Sequence, residues 1–203
     1  MASLGQGRWG AMVAEATSRT TGRLESRAKD PTLVTALVLV LAAYLAGSLP
    51  MGVIVARLTG ATDPRTVGSG RTGGTNALRA MGLPRAILVA VLDIGKGFVP
   101  ILVAQRIGAP AVVGALAGLA AVTGAWRSVF LRFHGGRGVA TGVGGMAAVS
   151  IWVVLIGLPV FVGTIAITRY VSLGSLLGTL AGALASLAFV LLGWLDAGWL
   201  VYT

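Results

Sequence analysis

The sequence predicts an all-α, polytopic integral membrane protein: a helical bundle of about six to seven spans, some short or broken. Three observations carry that reading. Of 203 residues, 56% are hydrophobic and 11% charged, whereas a soluble domain carries about a quarter charged residues. Runs such as "LVTALVLVLAAYLAG" (33–47) and "LGTLAGALASLAFVLLGWL" (177–195) approach the roughly 20 apolar residues that cross a hydrocarbon layer. These runs are continuous, which argues against the alternating strands of a membrane β-barrel.

Residues 1–30 read as a polar N-terminal tail, disordered or interfacial, with five basic and three acidic residues. No small-residue cleavage site follows the basic residues, so the tail is not a signal peptide. Residues 31–203 form the membrane domain. Its first span, about 32–58, is interrupted by Gly47, Ser48 and Pro50. Such breaks are tolerated where protein or a wet cavity satisfies the freed backbone. A loop over about 59–84 follows, then spans at about 85–105 and 110–124. A basic segment, "WRSVFLRFHGGRG" (126–138), precedes a short helix at 139–150 and a span at 151–167. The last clear span covers about 172–193, and "GWLDAGWLVYT" begins a further apolar stretch.

The net charge of +10 reflects topology rather than nucleic-acid binding. Basic residues cluster at helix ends, as the positive-inside pattern requires. Arg57, Arg65, Arg71, Arg79 and Arg85 face only Asp63 in and around the first loop. That loop, the segment 126–138 and the Arg169–Tyr170 turn all fall on one side, expected to be cytoplasmic. With no cysteine and one histidine, His134, the chain offers neither a disulfide nor a His- or Cys-based metal site. No metal or cofactor is expected. No Ser-His-Asp triad can be assembled either. An enzyme built from these residues would use an activated substrate and act by positioning and charge stabilisation.

Two stretches carry that chemistry. In "VGSGRTGGTNALR" (67–79), Gly68, Gly70 and Gly73 permit backbone turns whose N–H groups can cradle an anion. Ser69, Thr72, Thr75 and Asn76 add neutral donors. On a helix beginning near Thr75, Arg79 shares a side with Asn76, and the helix N-terminus favours a phosphate. The second stretch, "FHGGRGVATG" (133–142), repeats the pattern: Gly135, Gly136 and Gly138 surround Arg137, and Thr141 follows at a helix start. Two such loops on one face suit a ligand with two phosphates or two phosphorylated ligands. Asp93 and Lys96 lie three apart inside a span, where ionisable residues are paired or functional; a neutralised pair and direct substrate contact both remain open. In "RYVSLGS" (169–175), Ser172 reads as a helix N-cap, with Ser175 as a further donor.

Taken together and in order, "GSLPMGVIVARLTG" (47–60), "DPRTVGSGRTGGTNALRAMG" (63–82), "LDIGKG" (92–97), "FLRFHGGRGVATG" (130–142) and "RYVSLGS" (169–175) resemble the bacterial acyl-phosphate:glycerol-3-phosphate acyltransferases, the PlsY family. The resemblance covers about residues 43–176. It implies a seven-helix enzyme of the inner (plasma) membrane with its active site facing the cytoplasm. Such an enzyme moves a fatty acyl group from acyl phosphate to the sn-1 hydroxyl of glycerol 3-phosphate, giving lysophosphatidic acid for phospholipid synthesis. By resemblance, Ser69, Thr75, Asn76 and Arg79 hold substrate phosphate, Arg137 stabilises phosphate charge, and Ser172 and Ser175 line the site. Ser69, Arg79 and Arg137 are thus the expected catalytic residues. Gly68, Gly70, Gly73, Lys96, Gly135, Gly136 and Thr141 join the expected binding set. The partners implied are the two substrates and membrane lipids.

Departures from the family pattern are specific. Arg71 stands where Asn is usual, Gly74 where Ala is usual, and Ala125 and Ser128 where a His and a Pro are usual. The family's C-terminal His-x-x-Asn-x-x-Arg segment is expected to be missing. Two further classes therefore stand beside the enzyme: a catalytically impaired homologue that binds phosphorylated lipid precursors or scaffolds lipid enzymes, and a small anion transporter.

Overall fold

The computed structural model describes residues 33–202; the expected tail 1–30 lies outside them. Among the described residues there are eight α-helices: α1 (Leu33–Ser48), α2 (Met51–Thr59), α3 (Gly74–Met81), α4 (Leu83–Arg106), α5 (Ala111–Trp126), α6 (Val139–Val149), α7 (Ile151–Thr168) and α8 (Val171–Leu191). The all-α membrane architecture is thus as the sequence predicts.

The chain breaks where Gly and Pro place breaks. Leu49 and Pro50 separate α1 from α2, and the two helices bend by 47°. Gly82, at φ +78°, ends α3 and opens α4, with Pro84 in the first turn of α4, where its missing N–H costs nothing. Pro110 opens α5 and Gly138, at φ +75°, opens α6. Among the described residues, four helical segments are long and apolar enough to cross a membrane: Leu83–Arg106, Ala111–Leu131, Ile151–Thr168 and Val171–Leu191. The bent pair α1–α2 makes a fifth. The sequence suggested about six to seven. The difference lies in α6, which has only 11 residues, and in the last apolar stretch. That stretch forms a short 3-10 turn, Ala197–Val201, folded back onto α5.

The bundle is organised with small residues inside and large ones outside. Leu33, Val34, Leu37, Val38 and Leu41 of α1 are all exposed, as a lipid-facing surface requires. Buried between helices are Ala43, Ala117 and Ala121, and separately Val55, Ala56, Ala77, Met81, Ala86 and Val89. Lipid is as apolar as leucine, so close backbone packing must hold membrane helices together. A β-carbon at Gly47 would collide with the Ala121 carbonyl, and one at Gly124 with the Tyr44 carbonyl. These two positions let α1 and α5 approach. Gly97 against Thr141 and Gly144 against Ile94 do the same for α4 and α6. Helix α4 is central and touches α1, α2, α3, α5 and α6, while α7 and α8 form a hairpin beside α6.

Candidate functional site

The two glycine-rich stretches meet. A β-carbon at Gly136 would stand 3.6 Å from Thr72 Oγ1 and 3.7 Å from Gly73 Cα, so the loops lie in van der Waals contact. Arg71 Nη1 donates to the Gly136 carbonyl at 3.1 Å. Between them opens a cavity of about 520 Å³ walled by the α1–α2 break, both loops, the middle of α4 and the α7–α8 turn.

The first loop is organised from within. Asn76 is 3% exposed, and its Nδ2 lies 3.1 Å from the Val67 carbonyl, 3.1 Å from Ser69 Oγ and 2.9 Å from the Arg71 carbonyl. Its Oδ1 accepts from Arg79 Nη1 at 3.4 Å, the same-side relation expected for residues three apart on a helix. Gly68 sits at φ +55°, and a β-carbon there would stand 2.6 Å from the Arg79 guanidinium. A side chain at Gly68 would therefore displace Arg79. Gly70 also has positive φ, at +69°. Neither Gly68 nor Gly70 lines the cavity, whereas Ser69, Gly73, Thr75, Asn76 and Arg79 do. Upstream, Asp63 caps the 3-10 turn Pro64–Thr66 and pairs with Arg65 at 2.6 Å. Hydrogen bonding from the Arg65 guanidinium holds the Asp63 carboxyl below the ordinary carboxylate range.

The second loop differs from a simple anion nest. The Gly135 N–H donates to the Trp126 carbonyl at 3.0 Å and the Gly136 N–H to Ala125 at 2.9 Å. Those amides fix the loop to the end of α5 and do not point at a ligand. Arg132 and Phe133 precede it with φ of +51° and +63°, a backbone that non-glycine residues adopt at a cost. Ser128 Oγ donates to the Ser48 carbonyl, which satisfies the backbone freed at the α1–α2 break. The donors that line the cavity are instead Arg137 and the first turn of α6, whose N–H groups have no carbonyl one turn back. Gly138, Val139, Ala140 and the buried Thr141 line the cavity there. The N-terminus of α3, at Gly73, Gly74 and Thr75, lines it too. Two helix N-termini thus converge, each with partial positive charge.

Among the described residues, the cavity wall carries Arg71, Arg79, Lys96, Arg137 and Arg169 against a single carboxylate, Asp93. Lys96 pairs with Asp93 at 2.8 Å and donates to the Leu49 carbonyl at 2.9 Å. The neutralised-pair reading of Asp93 and Lys96 therefore describes the geometry. Lys96 stitches α4 to the α1–α2 break, and four guanidinium groups remain to set the sign of the site. Ser172 and Ser175 line the cavity, but Ser172 is not the cap: α8 is capped by Tyr170, and Ser172 lies in its first turn. Ser175 Oγ donates to the Val171 carbonyl at 2.8 Å.

Sequence reading missed two cationic walls. Arg71 entered as a topological charge and a departure from the family, and Arg169 as a topological charge, yet both line the cavity. The available signal was that Arg71 lies inside the first glycine-rich motif and Arg169 opens the RYVSLGS segment. Beside the polar cavity lies an apolar chamber of about 300 Å³, where a slot for a fatty tail is expected; its lining residues Leu119, Met146, Val153, Phe161 and Tyr202 were not singled out from the sequence. It shares Arg137, Gly138, Val139 and Ser175 with the polar cavity, so the two spaces adjoin at the second loop.

The family model described as Glycerol-3-phosphate acyltransferase matches residues 37–203. A glycerol-3-phosphate acyltransferase of Aromatoleum aromaticum is 46% identical over 140 residues, covering 69% of this chain and 71% of its own. That of Anaeromyxobacter sp. (strain K) is 48% identical over 155 residues, covering 74% and 76%. The glycerol 3-phosphate form of PlsY (YgiH), an integral membrane glycerol 3-phosphate acyltransferase, superposes with a TM-score of 0.73 at 40% identity, over 83% of this chain and 82% of that one. Its lysophosphatidic acid form gives 0.72 at 39% identity, with the same coverage. The helical membrane fold, the ordered motifs and these likenesses agree: the chain belongs to the glycerol-3-phosphate acyltransferase family.

Proposed function

We propose that this protein is a membrane acyltransferase that moves a fatty acyl group from acyl phosphate to the sn-1 hydroxyl of glycerol 3-phosphate, giving lysophosphatidic acid for phospholipid synthesis. The observation that carries this reading is the junction of a four-arginine polar cavity with an apolar chamber at Arg137. Phosphoryl oxygens suit the first space and a fatty chain suits the second. Glycerol 3-phosphate, the substrate for which the relatives are named, fits the polar side.

In this reading Ser69, Thr75 and Arg79 hold the phosphate of glycerol 3-phosphate, and Asn76 holds Arg79 and the loop in place. Arg137 and the α6 N-terminus hold the phosphoryl group of the donor. Ser172 and Ser175 bound the opposite wall. The sn-1 hydroxyl attacks the acyl carbonyl, the bond from that carbon to the phosphate oxygen breaks, and inorganic phosphate leaves. A phosphate oxygen takes the hydroxyl proton, so no protein base is needed. Arginines already oriented toward developing phosphate charge lower the barrier without reorganising. The positive-inside pattern supports a cytoplasm-facing cavity in the inner membrane.

Purified protein in detergent, given glycerol 3-phosphate and a long-chain acyl phosphate, should form lysophosphatidic acid and release phosphate. The corresponding acyl-CoA should not replace the acyl phosphate. No product from acyl phosphate would overturn the proposal. Ala125 on the cavity wall, where the family has His, favours the impaired-homologue alternative; saturable glycerol 3-phosphate binding without turnover would select it.

A further inference from the structure

We infer that Tyr202 is the stop that sets how long an acyl chain this protein accepts. The inference rests on the acyl-transfer reading and adds a specificity-determining residue to it. The apolar chamber begins at Gly138, the cap of α6, and follows that helix inward past Gly142 to Met146. At 1.5 Å per residue, Gly142 lies about 6 Å below the cap and Gly145 about 11 Å. Tyr202 occupies that depth. Its hydroxyl donates to the Gly142 carbonyl at 3.0 Å.

The ring is wedged, not draped. A β-carbon at Gly145 would collide with the Tyr202 hydroxyl, and one at Gly118 with the ring. Two glycines on facing helices thus form the slot that the phenol fills. Ile101 and Ala115, both fully buried, pack with the ring in one apolar cluster. Tyr202 is 8% exposed and still lines the chamber. It therefore stands between the chamber and the apolar core. A chain whose carbonyl sits near Arg137 and whose tail follows α6 meets this ring. A hydrogen-bonded aromatic ring held from two sides yields less than an unbranched side chain such as Met146, which also lines the chamber and can swing among rotamers.

Removing the ring joins its space to the chamber, where an apolar tail can enter. Each methylene newly removed from water strengthens binding roughly fourfold. The test uses the full chain in detergent and a homologous series of saturated alkyl phosphates, which carry a phosphoryl group and a tail but nothing to transfer. Calorimetric affinity for the wild type should rise with chain length and then level off at a defined length. Tyr202→Phe keeps the ring and should level off at the same length. Tyr202→Ala should continue to gain affinity for at least one or two further methylenes, by up to about fourfold each, the limit reached when the methylene leaves water rather than detergent. Should the Ala variant fail to fold, Tyr202→Leu shortens the reach while keeping apolar volume and should show a smaller shift in the same direction. A folded Ala or Leu variant that levels off at the wild-type length would overturn the inference. Because the probes are inert, this result stands apart from turnover: a wild type that binds them with a length limit yet makes no lysophosphatidic acid removes the proposed reaction and leaves the stop in place.

Discussion

Arg71 donates from Nη1 to the carbonyl of Gly136 at 3.1 Å, across 65 residues of chain. This bond ties the first glycine-rich loop to the second at the cavity wall. Its loss should misplace Arg137, the neighbour of Gly136. A single hydrogen bond of this kind contributes about 1 kcal/mol net, so Arg71→Ala should lower kcat/KM for acyl transfer roughly fivefold. Arg71→Lys should recover part of the loss, since an ammonium can still donate to one carbonyl. Steady-state kinetics on the purified variants reads both effects, and an unchanged kcat/KM in Arg71→Ala would show that the latch is dispensable.

Asn76 is buried and bonds within the loop, whereas Ser69 is exposed at the cavity; in the proposed site the first supports the loop and the second holds the ligand. Asn76→Ala leaves the partly buried carbonyls of Val67 and Arg71 without their donor, at a cost of about 1 kcal/mol or more. Thermal unfolding in detergent should show a clear drop in Tm. Ser69→Ala, on an exposed residue, should leave Tm nearly unchanged while reducing turnover. Equal Tm values for the two variants would contradict this division of roles.

Gly97 connects packing to the site. A β-carbon there collides with the carbonyl of Thr141, and Thr141 lines the cavity. Gly97→Ala should force α4 and α6 apart, costing about 1–3 kcal/mol, and should lower activity although Gly97 does not line the cavity. Unaltered Tm and unaltered activity together would mean the helices yield freely at this crossing.

The Asp63–Arg65 pair gives a pH dependence with a definite sign. The Asp63 carboxyl is held below its ordinary value when folded, by hydrogen bonding from Arg65. Its contribution to the loop is complete above about pH 4 and fades as the pH falls through the lower, folded value. Both side chains are partly exposed, so the effect is small and screened by salt. Below about pH 4 the wild type should lose slightly more stability than Asp63→Asn. Parallel acid-unfolding curves for the two proteins would rule out the linkage.

Much of this architecture was legible in the residues. The break at Leu49–Pro50 follows from Gly47, Ser48 and Pro50, and helix ends follow Gly82, Pro110 and Gly138. Local rules act within a few residues, so one sequence suffices to read them. The gathering of Ser69, Arg79, Arg137 and Ser175 on one cavity was also legible, because the positive-inside rule sorts three loops to one face. The partners of particular polar atoms were not. Lys96 reaches the Leu49 carbonyl across 47 residues, and the amides of Gly135 and Gly136 turn away to Trp126 and Ala125. Ser172 missed the cap because Arg169, at φ +60°, ends α7 and lets α8 begin at Val171. Nor does any periodicity announce that the chain after Leu191 folds back and sets Tyr202 between Gly118 and Gly145. That contact depends on two helices placed by residues far away in sequence.

One arginine from each loop offers the most direct test of a site built from both. Arg79→Ala and Arg137→Ala should each reduce kcat/KM by roughly ten- to a hundredfold, as expected for losing a charged hydrogen bond of about 1.5–3 kcal/mol. If both grip substrates in one shared cavity, the double variant loses less than the product of the single losses, with a coupling above about 0.5 kcal/mol. Strict additivity in this double-mutant cycle would mean that the loops act independently, and would contradict the account.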